Sequence, residues 1–99
     1  MTRTPEVIYE EIRTTPRPHL PHRSIEERLA QAEASVAHCA RIHELWGELA
    51  DTLCGQADVP PWGYSAALGA ACFAHQRLMD AKEDRDRYQR LTSEAAVSR

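Results

Sequence analysis

A long amphipathic helix is predicted for the middle of the chain, because apolar or small residues recur there at steps of four and three. This stripe consists of Ile25, Leu29, Ala32, Val36, Cys39, His43, Trp46, Ala50 and Leu53, and it is widened by Ile42, Leu45 and Leu49. Ser24 and Glu27 form a capping box at its start, and Gly55 suits the left-handed conformation that ends a helix. We therefore predict a first long helix over about 24–54.

A second long helix is predicted from about residue 62 to residue 95, since the same step recurs without a further proline. Its stripe consists of Tyr64, Leu68, Ala71, His75, Leu78, Ala81, Tyr88, Leu91 and Ala95. The connection Gln56–Pro61 is short, so the two helices should be antiparallel neighbours. With the turn near residue 58, Leu45 and Trp46 lie level with small residues of the second helix, namely Ala66, Ala67, Gly69, Ala70, Ala71 and Ala74. Bulky residues on one helix would then pack against small ones on the other.

Residues 1–23 form an N-terminal arm of different character. Pro5 can open a short helix over 5–13, and a frayed end remains the alternative. Three further prolines, at positions 16, 18 and 21, predict an extended, polyproline-like linker up to Arg23. Because these prolines separate the arm from residues 24–97, we expect it to contribute little to the stability of the hairpin.

The composition favours an all-α fold: 42% of residues are apolar and only 6% are aromatic. Alanine contributes a large part of the apolar share, and few stretches alternate with a period of two. A thin, alanine-rich core suits closely packed helices better than a sheet. The predicted fold is an antiparallel, coiled-coil-like two-helix hairpin with a Pro-rich arm.

The net charge of −3 argues against bulk attraction to nucleic acid or to an anionic membrane. A nucleic-acid-associated protein that uses its basic arm is kept as an alternative, since Arg13, Arg17 and Arg23 occur there without an acid between them. The bias towards arginine and alanine is typical of a GC-rich bacterial genome. No apolar run approaches the ~20 residues that cross a bilayer, and no signal peptide is evident. We expect a cytoplasmic protein with reduced cysteines.

A metal site is the sharpest chemical alternative. Cys39 and His43 lie one turn apart on the first helix, and Cys72 and His75 do so on the second. Two cysteines and two histidines suit tetrahedral zinc, which makes a zinc-binding sensor or structural metal protein the alternative function. However, Cys39 and His43 occupy core positions, where small cysteines and hydrogen-bonded histidines are common. We expect no bound metal and no other cofactor.

The sequence shows no signature of catalysis and no evident site for a small-molecule substrate, neither a glycine-rich phosphate loop nor a nucleophile elbow. We therefore expect a non-enzymatic protein–protein interaction module that acts as an adaptor, regulator or assembly factor. Its apolar surface exceeds what one helix–helix seam can bury, and the excess lies at Ile42, Leu45, Leu49, Phe73 and Leu78. These residues predict a homodimer in the form of a four-helix bundle, and a different protein could bind the same surface.

Overall fold

The fold is described here for residues 3–54 and 63–97 of a computed structural model. These residues form three helices and no strand: α1 (Pro5–Thr14), α2 (Ile25–Leu53) and α3 (Tyr64–Val97). The all-α class is confirmed, and the two long packed helices fit the predicted hairpin. The predicted stop at Gly55, the connection over 56–61 and the predicted start at residue 62 lie outside the described residues.

The N-terminal alternatives are resolved in favour of a helix. The Thr4 side chain accepts a hydrogen bond from the Val7 amide at 3.4 Å, and Pro5 occupies the first turn of α1, where its missing N–H is no loss. The backbone becomes extended at Thr15, with φ −66° and ψ 118°, because the next residue is Pro16.

Helix α2 begins at the predicted Ser24 cap, while Glu27 bonds the amide of the residue before the cap rather than that of Ser24. The Ser24 hydroxyl accepts a hydrogen bond from the Glu27 amide at 3.1 Å, and the Glu27 carboxylate accepts one from the Arg23 amide at 3.2 Å. Two glutamates in the first turn add favourable charge at the positive end of the helix. The helix ends at Leu53, and Cys54 is extended.

Helices α2 and α3 run antiparallel with the predicted register. The His43 and His75 rings lie 5.2 Å apart, and Leu49 shares a core cluster with Ala67. The packing of bulky residues against small ones agrees with the structure in part, since Ala67, Ala71 and Ala74 are buried whereas Ala66 and Gly69 are exposed. The buried residues of α3 are Ala67, Ala71, Ala74 and Leu78, whereas α2 contributes buried leucines at 45, 49 and 53.

The predicted stripe of α3 is wrong at three positions, since Leu68, His75 and Leu91 are exposed. Leu68 is 45% exposed and His75 is exposed as well, while their neighbours Ala67 and Ala74 are buried. The helix is rotated so that its smallest side chains face α2, because an alanine seam lets the two backbones approach and makes room for the larger residues of α2. The free energy gained by close packing of the two helices exceeds the free energy that burial of Leu68 would have contributed.

The expectation of an arm separate from the hairpin is also wrong. Helix α1 packs on α2, and Ile8 has 0% exposed surface in a cluster with Leu45 and Leu49. Pro16, Pro18 and Pro21 all follow α1, so they do not interrupt it. Instead they shape an extended return segment that allows α1 to lie antiparallel along α2.

The return segment, residues 15–24, lies against the first half of α2. The Gln31 side chain accepts a hydrogen bond from the Leu20 amide at 2.8 Å and donates one to the Pro18 carbonyl at 3.1 Å. The guanidinium of Arg28 donates to the His22 carbonyl at 3.4 Å. Prolines fit such a segment because they leave few amides that need partners.

The molecule is elongated, with principal extents of 60 × 25 × 20 Å. Its radius of gyration is 17.2 Å, against roughly 13 Å for a compact chain of this length. None of the described helices combines the length and the apolar character that a membrane span requires.

Candidate functional site

A network of ion pairs fixes α1 on α2. The Arg3 guanidinium donates to both carboxylate oxygens of Glu48, at 2.9 and 2.5 Å, and to Glu11 at 2.6 Å. Arg41 in turn donates to Glu11 at 2.8 Å and to Glu44 at 3.4 Å. The forked pair between Arg3 and Glu48 fixes both distance and orientation, which a single contact does not.

These ion pairs lower the pKa values of Glu11 and Glu48, the two carboxylates that link α1 and α2. Hydrogen bonds from Arg41 and then Arg3 hold the pKa of Glu11 below its ordinary value. The hydrogen bond from Arg3 holds the pKa of Glu48 below its ordinary value in the same way. The side chains of the network are about a third to two thirds exposed, so each pair on its own is weak.

An open groove lies between α2 and α3 on the side that carries α1, and we call it the front groove. Its walls come from all three helices and from the return segment: Ile12, Arg13, Thr15, Arg17, Pro18, Ser35, His38, Cys39, Ile42, Trp46, Ala70, Phe73, Ala74, Gln76, Arg77, Asp80, Ala81 and Asp84. Apolar side chains form the part nearest α1. Charged side chains line the part towards the C-terminal half of α3.

Phe73 is the most prominent side chain of the front groove. It is 65% exposed, and the Arg77 guanidinium lies 5.9 Å from the centre of its ring. Trp46, on the opposite wall, is half-buried and makes an edge-to-face contact with Tyr9 at 6.2 Å between ring centres. The groove therefore has one fixed aromatic wall and one aromatic side chain largely in water.

Two arginines lie near His38 in the same groove. Burial lowers the pKa of His38 first, and the positive charges of Arg17 and Arg77 lower it further, against the opposing effect of the Pro16 carbonyl. Among residues 3–54 and 63–97, neither arginine has a carboxylate within ion-pair distance. The nearby acids Asp80 and Asp84 accept hydrogen bonds from Gln76 and Arg87. The groove thus offers two cations without anionic partners in the described part of the chain.

The residues expected at an interface fall into two groups. Leu45, Leu49 and Leu78 are buried inside the chain, and Ile42 is half-buried against the same core. Their surface is already used by α1 and by the hairpin seam. Phe73 alone of the five is largely exposed.

The four metal candidates are brought together only in part. His43 and His75 lie with their rings 5.2 Å apart, whereas Cys39 lines the front groove and Cys72 is exposed. The described residues contain no group of three or more histidine, cysteine or acidic side chains that could hold a metal ion. The absence of bound zinc stays a prediction, which elemental analysis of protein purified without chelator would test.

Three parts of this site were missed by reasoning from the sequence: the docking of α1, the contacts of the extended return segment with α2 and the position of His38. The ion pairs join residues as far apart as 45 positions, and no local pattern marks such partners. A partial signal existed in Ile8 and Ile12, which lie four residues apart on one face of a short helix. A short helix is stable only when its apolar face packs against another surface, so these two residues indicate a contact with the rest of the chain.

Comparison with known proteins finds no match to this chain among protein-family models, curated proteins or solved structures. The function must therefore be argued from the residues of the front groove and the surface around it.

Proposed function

We propose that this protein is a non-enzymatic interaction module of a bacterial cytoplasm, which binds a helix of another protein in the front groove. In this role it acts as an adaptor, regulator or assembly factor. The observation that supports the proposal most strongly is Phe73, which is 65% exposed beside the apolar part of the groove. Burying such a side chain in a partner would contribute roughly 1.5–3 kcal/mol.

The extent of the molecular surface supports the same proposal. The accessible surface is 6888 Å², whereas a compact monomer of 11.2 kDa exposes roughly 5,700 Å². The excess exceeds the ~800 Å² that each partner buries in a standard protein–protein interface. An elongated hairpin of this kind has room for a partner along its length.

The groove also suggests the chemistry of the partner. Ile42, Trp46 and Phe73 would contact an apolar stripe, while Arg17 and Arg77 would pair with acidic residues beside it. An amphipathic helix with apolar residues at steps of three and four and an acidic edge has this character. Arg77 would contribute to both contacts: its guanidinium lies over the Phe73 ring at the apolar part, and its charge can pair with the acidic edge.

Site-specific photo-crosslinking in the source cells tests the proposal. A photoreactive phenylalanine analogue placed at position 73 should give one discrete protein adduct. The same analogue at Val97, which is 87% exposed but lies outside the groove, should not give that adduct. Adding Arg77→Glu should remove the adduct from position 73, because the acidic edge of the partner would be repelled.

Two results would count against the front groove as the binding site. One is the absence of any adduct specific to position 73. The other is an adduct that persists with Arg77→Glu at full yield, which would show that the groove cations have no part in the contact.

A further inference from the structure

Part of the α2 surface lies beneath α1 and adjoins the hairpin seam. Leu45 is displaced from Trp46 by about 100° around the helix. It has 0% exposed surface, in a cluster that joins Ile8 of α1 to Leu49 and to Ala67 of α3. We call Ile42, Leu45 and Leu49, together with the flanking Arg41 and Glu48, the covered face.

The attachment of α1 to the covered face rests on few side chains, with Tyr9 and Ile12 partly buried beside Ile8. Ile8 is its one fully buried side chain in the described structure, and Val7 beside it is 53% exposed. The ion pairs of Arg3 and Arg41 are partly in water. A helix of 10 residues is too short to hold its own structure without the surface it packs on. Helix α1 is thus suited to leave α2 as a local unit while the hairpin stays folded.

Departure of α1 would leave a self-complementary surface. The apolar side chains Leu45 and Leu49 would enter water, Arg41 would lose Glu11, and Glu48 would lose Arg3. Arg41 would keep only its longer pair with Glu44 on the same helix, and Glu48, seven residues along the same face, would have lost its pair with Arg3. In an antiparallel pair of α2 helices centred between residues 44 and 45, Arg41 of each copy lies level with Glu48 of the other. A two-fold axis makes this pair twice.

We infer that the covered face is a dimerisation surface for a second copy of this chain, and that α1 closes it. With α1 released, two hairpins pair through α2 as a four-helix bundle, and each ion pair to α1 is replaced by one between Arg41 and Glu48 of different copies. The covered face shares only Ile42 with the front groove around Phe73, and the inference does not depend on the proposed function. It also explains why the apolar excess of the sequence is mostly hidden in the single chain.

The mass of the full chain in light scattering at micromolar concentration tests the inference. The unchanged protein should give 11.2 kDa. Ile8→Glu places a charge in the buried position and should release α1, giving twice that mass. Val7→Glu, the same change at the exposed neighbour on α1, should remain at the mass of one chain. Phe73→Glu, combined with Ile8→Glu, should not prevent the dimer, which separates this surface from the front groove.

Exchanging the charges tests the predicted pairing itself. In the Ile8→Glu chain, Glu48→Arg should abolish the dimer, since an arginine would then face Arg41 of the other copy. Adding Arg41→Glu restores opposite charges and should restore the dimer. A mass unaffected by either charge change would overturn the antiparallel pairing.

The inference has three further ways to fail. A folded Ile8→Glu monomer, with helical far-UV circular dichroism, would show that the covered face does not self-associate. Complete loss of helix in Ile8→Glu would show that α1 is an integral part of the fold. A dimer of the unchanged chain would show that α1 does not close the surface.

Discussion

At the scale of single residues, Ile8 and Val7 differ sharply although they are neighbours on the same short helix. Ile8 has 0% exposed surface against Leu45 and Leu49, while Val7 is 53% exposed. Ile8 is therefore the fully buried apolar contact of α1 with the hairpin, and Tyr9 and Ile12 pack beside it partly buried. The ion pairs around it set the orientation of the helix more than the strength of its attachment.

Ile8→Ala should release α1 without unfolding the hairpin. Truncating a buried isoleucine costs about 2–5 kcal/mol, which corresponds to at least roughly 30-fold faster exchange of the protected α1 amides if they exchange by local opening. Hydrogen exchange followed by NMR measures this, and the amides of α2 and α3 should stay protected. Val7→Ala is the matched control. Equal effects of the two changes would contradict the burial of Ile8.

The attachment of α1 should weaken in acid. Because the folded pKa values of Glu11 and Glu48 lie below their ordinary value of 4.5, the carboxylates stabilise the docked helix above that pH. This stabilisation is lost as the pH falls through the lowered folded values. Protection factors of the α1 amides should be level near neutrality and should fall below about pH 4.

Replacement of one carboxylate checks the origin of this pH dependence. Glu11→Gln should lower the protection of α1 at neutral pH and flatten its acid dependence. Glu10→Gln is the control, because Glu10 pairs only with Arg13 on α1 itself in the described structure. If Glu10→Gln had the larger effect, the network between α1 and α2 would not be the source.

At the scale of elements, the seam between α2 and α3 rests on the smallest side chains of α3. Ala67 is 1% exposed and Ala74 is 4% exposed, whereas Leu68 next to the first of them is 45% exposed. Close approach of the backbones, rather than the number of large apolar residues, decides which side of α3 faces α2.

Enlarging a seam alanine should therefore destabilise the hairpin. Ala67→Leu should lower the free energy of unfolding by about 1–3 kcal/mol, the usual cost of adding methylenes to a packed core. Ala66→Leu adds the same atoms at the exposed neighbouring position and should change it by less than about 0.5 kcal/mol. Urea denaturation compares the two variants. Similar losses would mean that α3 is rotated differently.

The same elements show how far prediction from sequence can go. The cap at Ser24 and the long stripe of α2 depend on local rules, and both agree with the structure except at Ile25, which is exposed. The rotation of α3 could not be read from hydrophobicity alone, because the stripe with Leu68 and His75 and the seam with Ala67 and Ala74 differ by one residue. The large side chains of α2 need space, and this selects the face of α3 that carries the alanines.

The docking of α1 lay beyond such rules for another reason. Its partners Leu45, Leu49 and Glu48 are far away along the chain. From the sequence alone, the apolar pattern of the two leucines is equally consistent with an interface to another molecule. The front groove depends on the same fact, since residues 12–18 form one of its walls. Of its residues, Ile42 and Phe73 were expected at an interface from the sequence, and only Phe73 of these two is largely exposed.

At the scale of the whole molecule, one short helix separates two surfaces. Helix α1 covers the apolar face of α2, and the end of α1 with the return segment borders the front groove. The covered face would pair with a second copy, whereas the front groove would receive a helix of another protein. A chain with this arrangement could couple its assembly state to partner binding through the position of α1 alone.

The central claim is that the front groove binds a partner through Phe73, and isothermal titration with the partner captured at position 73 tests it most directly. Phe73→Glu should weaken binding by about 30-fold or more, as expected for a binding residue worth 2 kcal/mol or above. Val97→Glu, the same kind of change at an exposed apolar residue outside the groove, should leave the affinity unchanged. Equal affinity of the Phe73→Glu variant and the unchanged chain would contradict the claim.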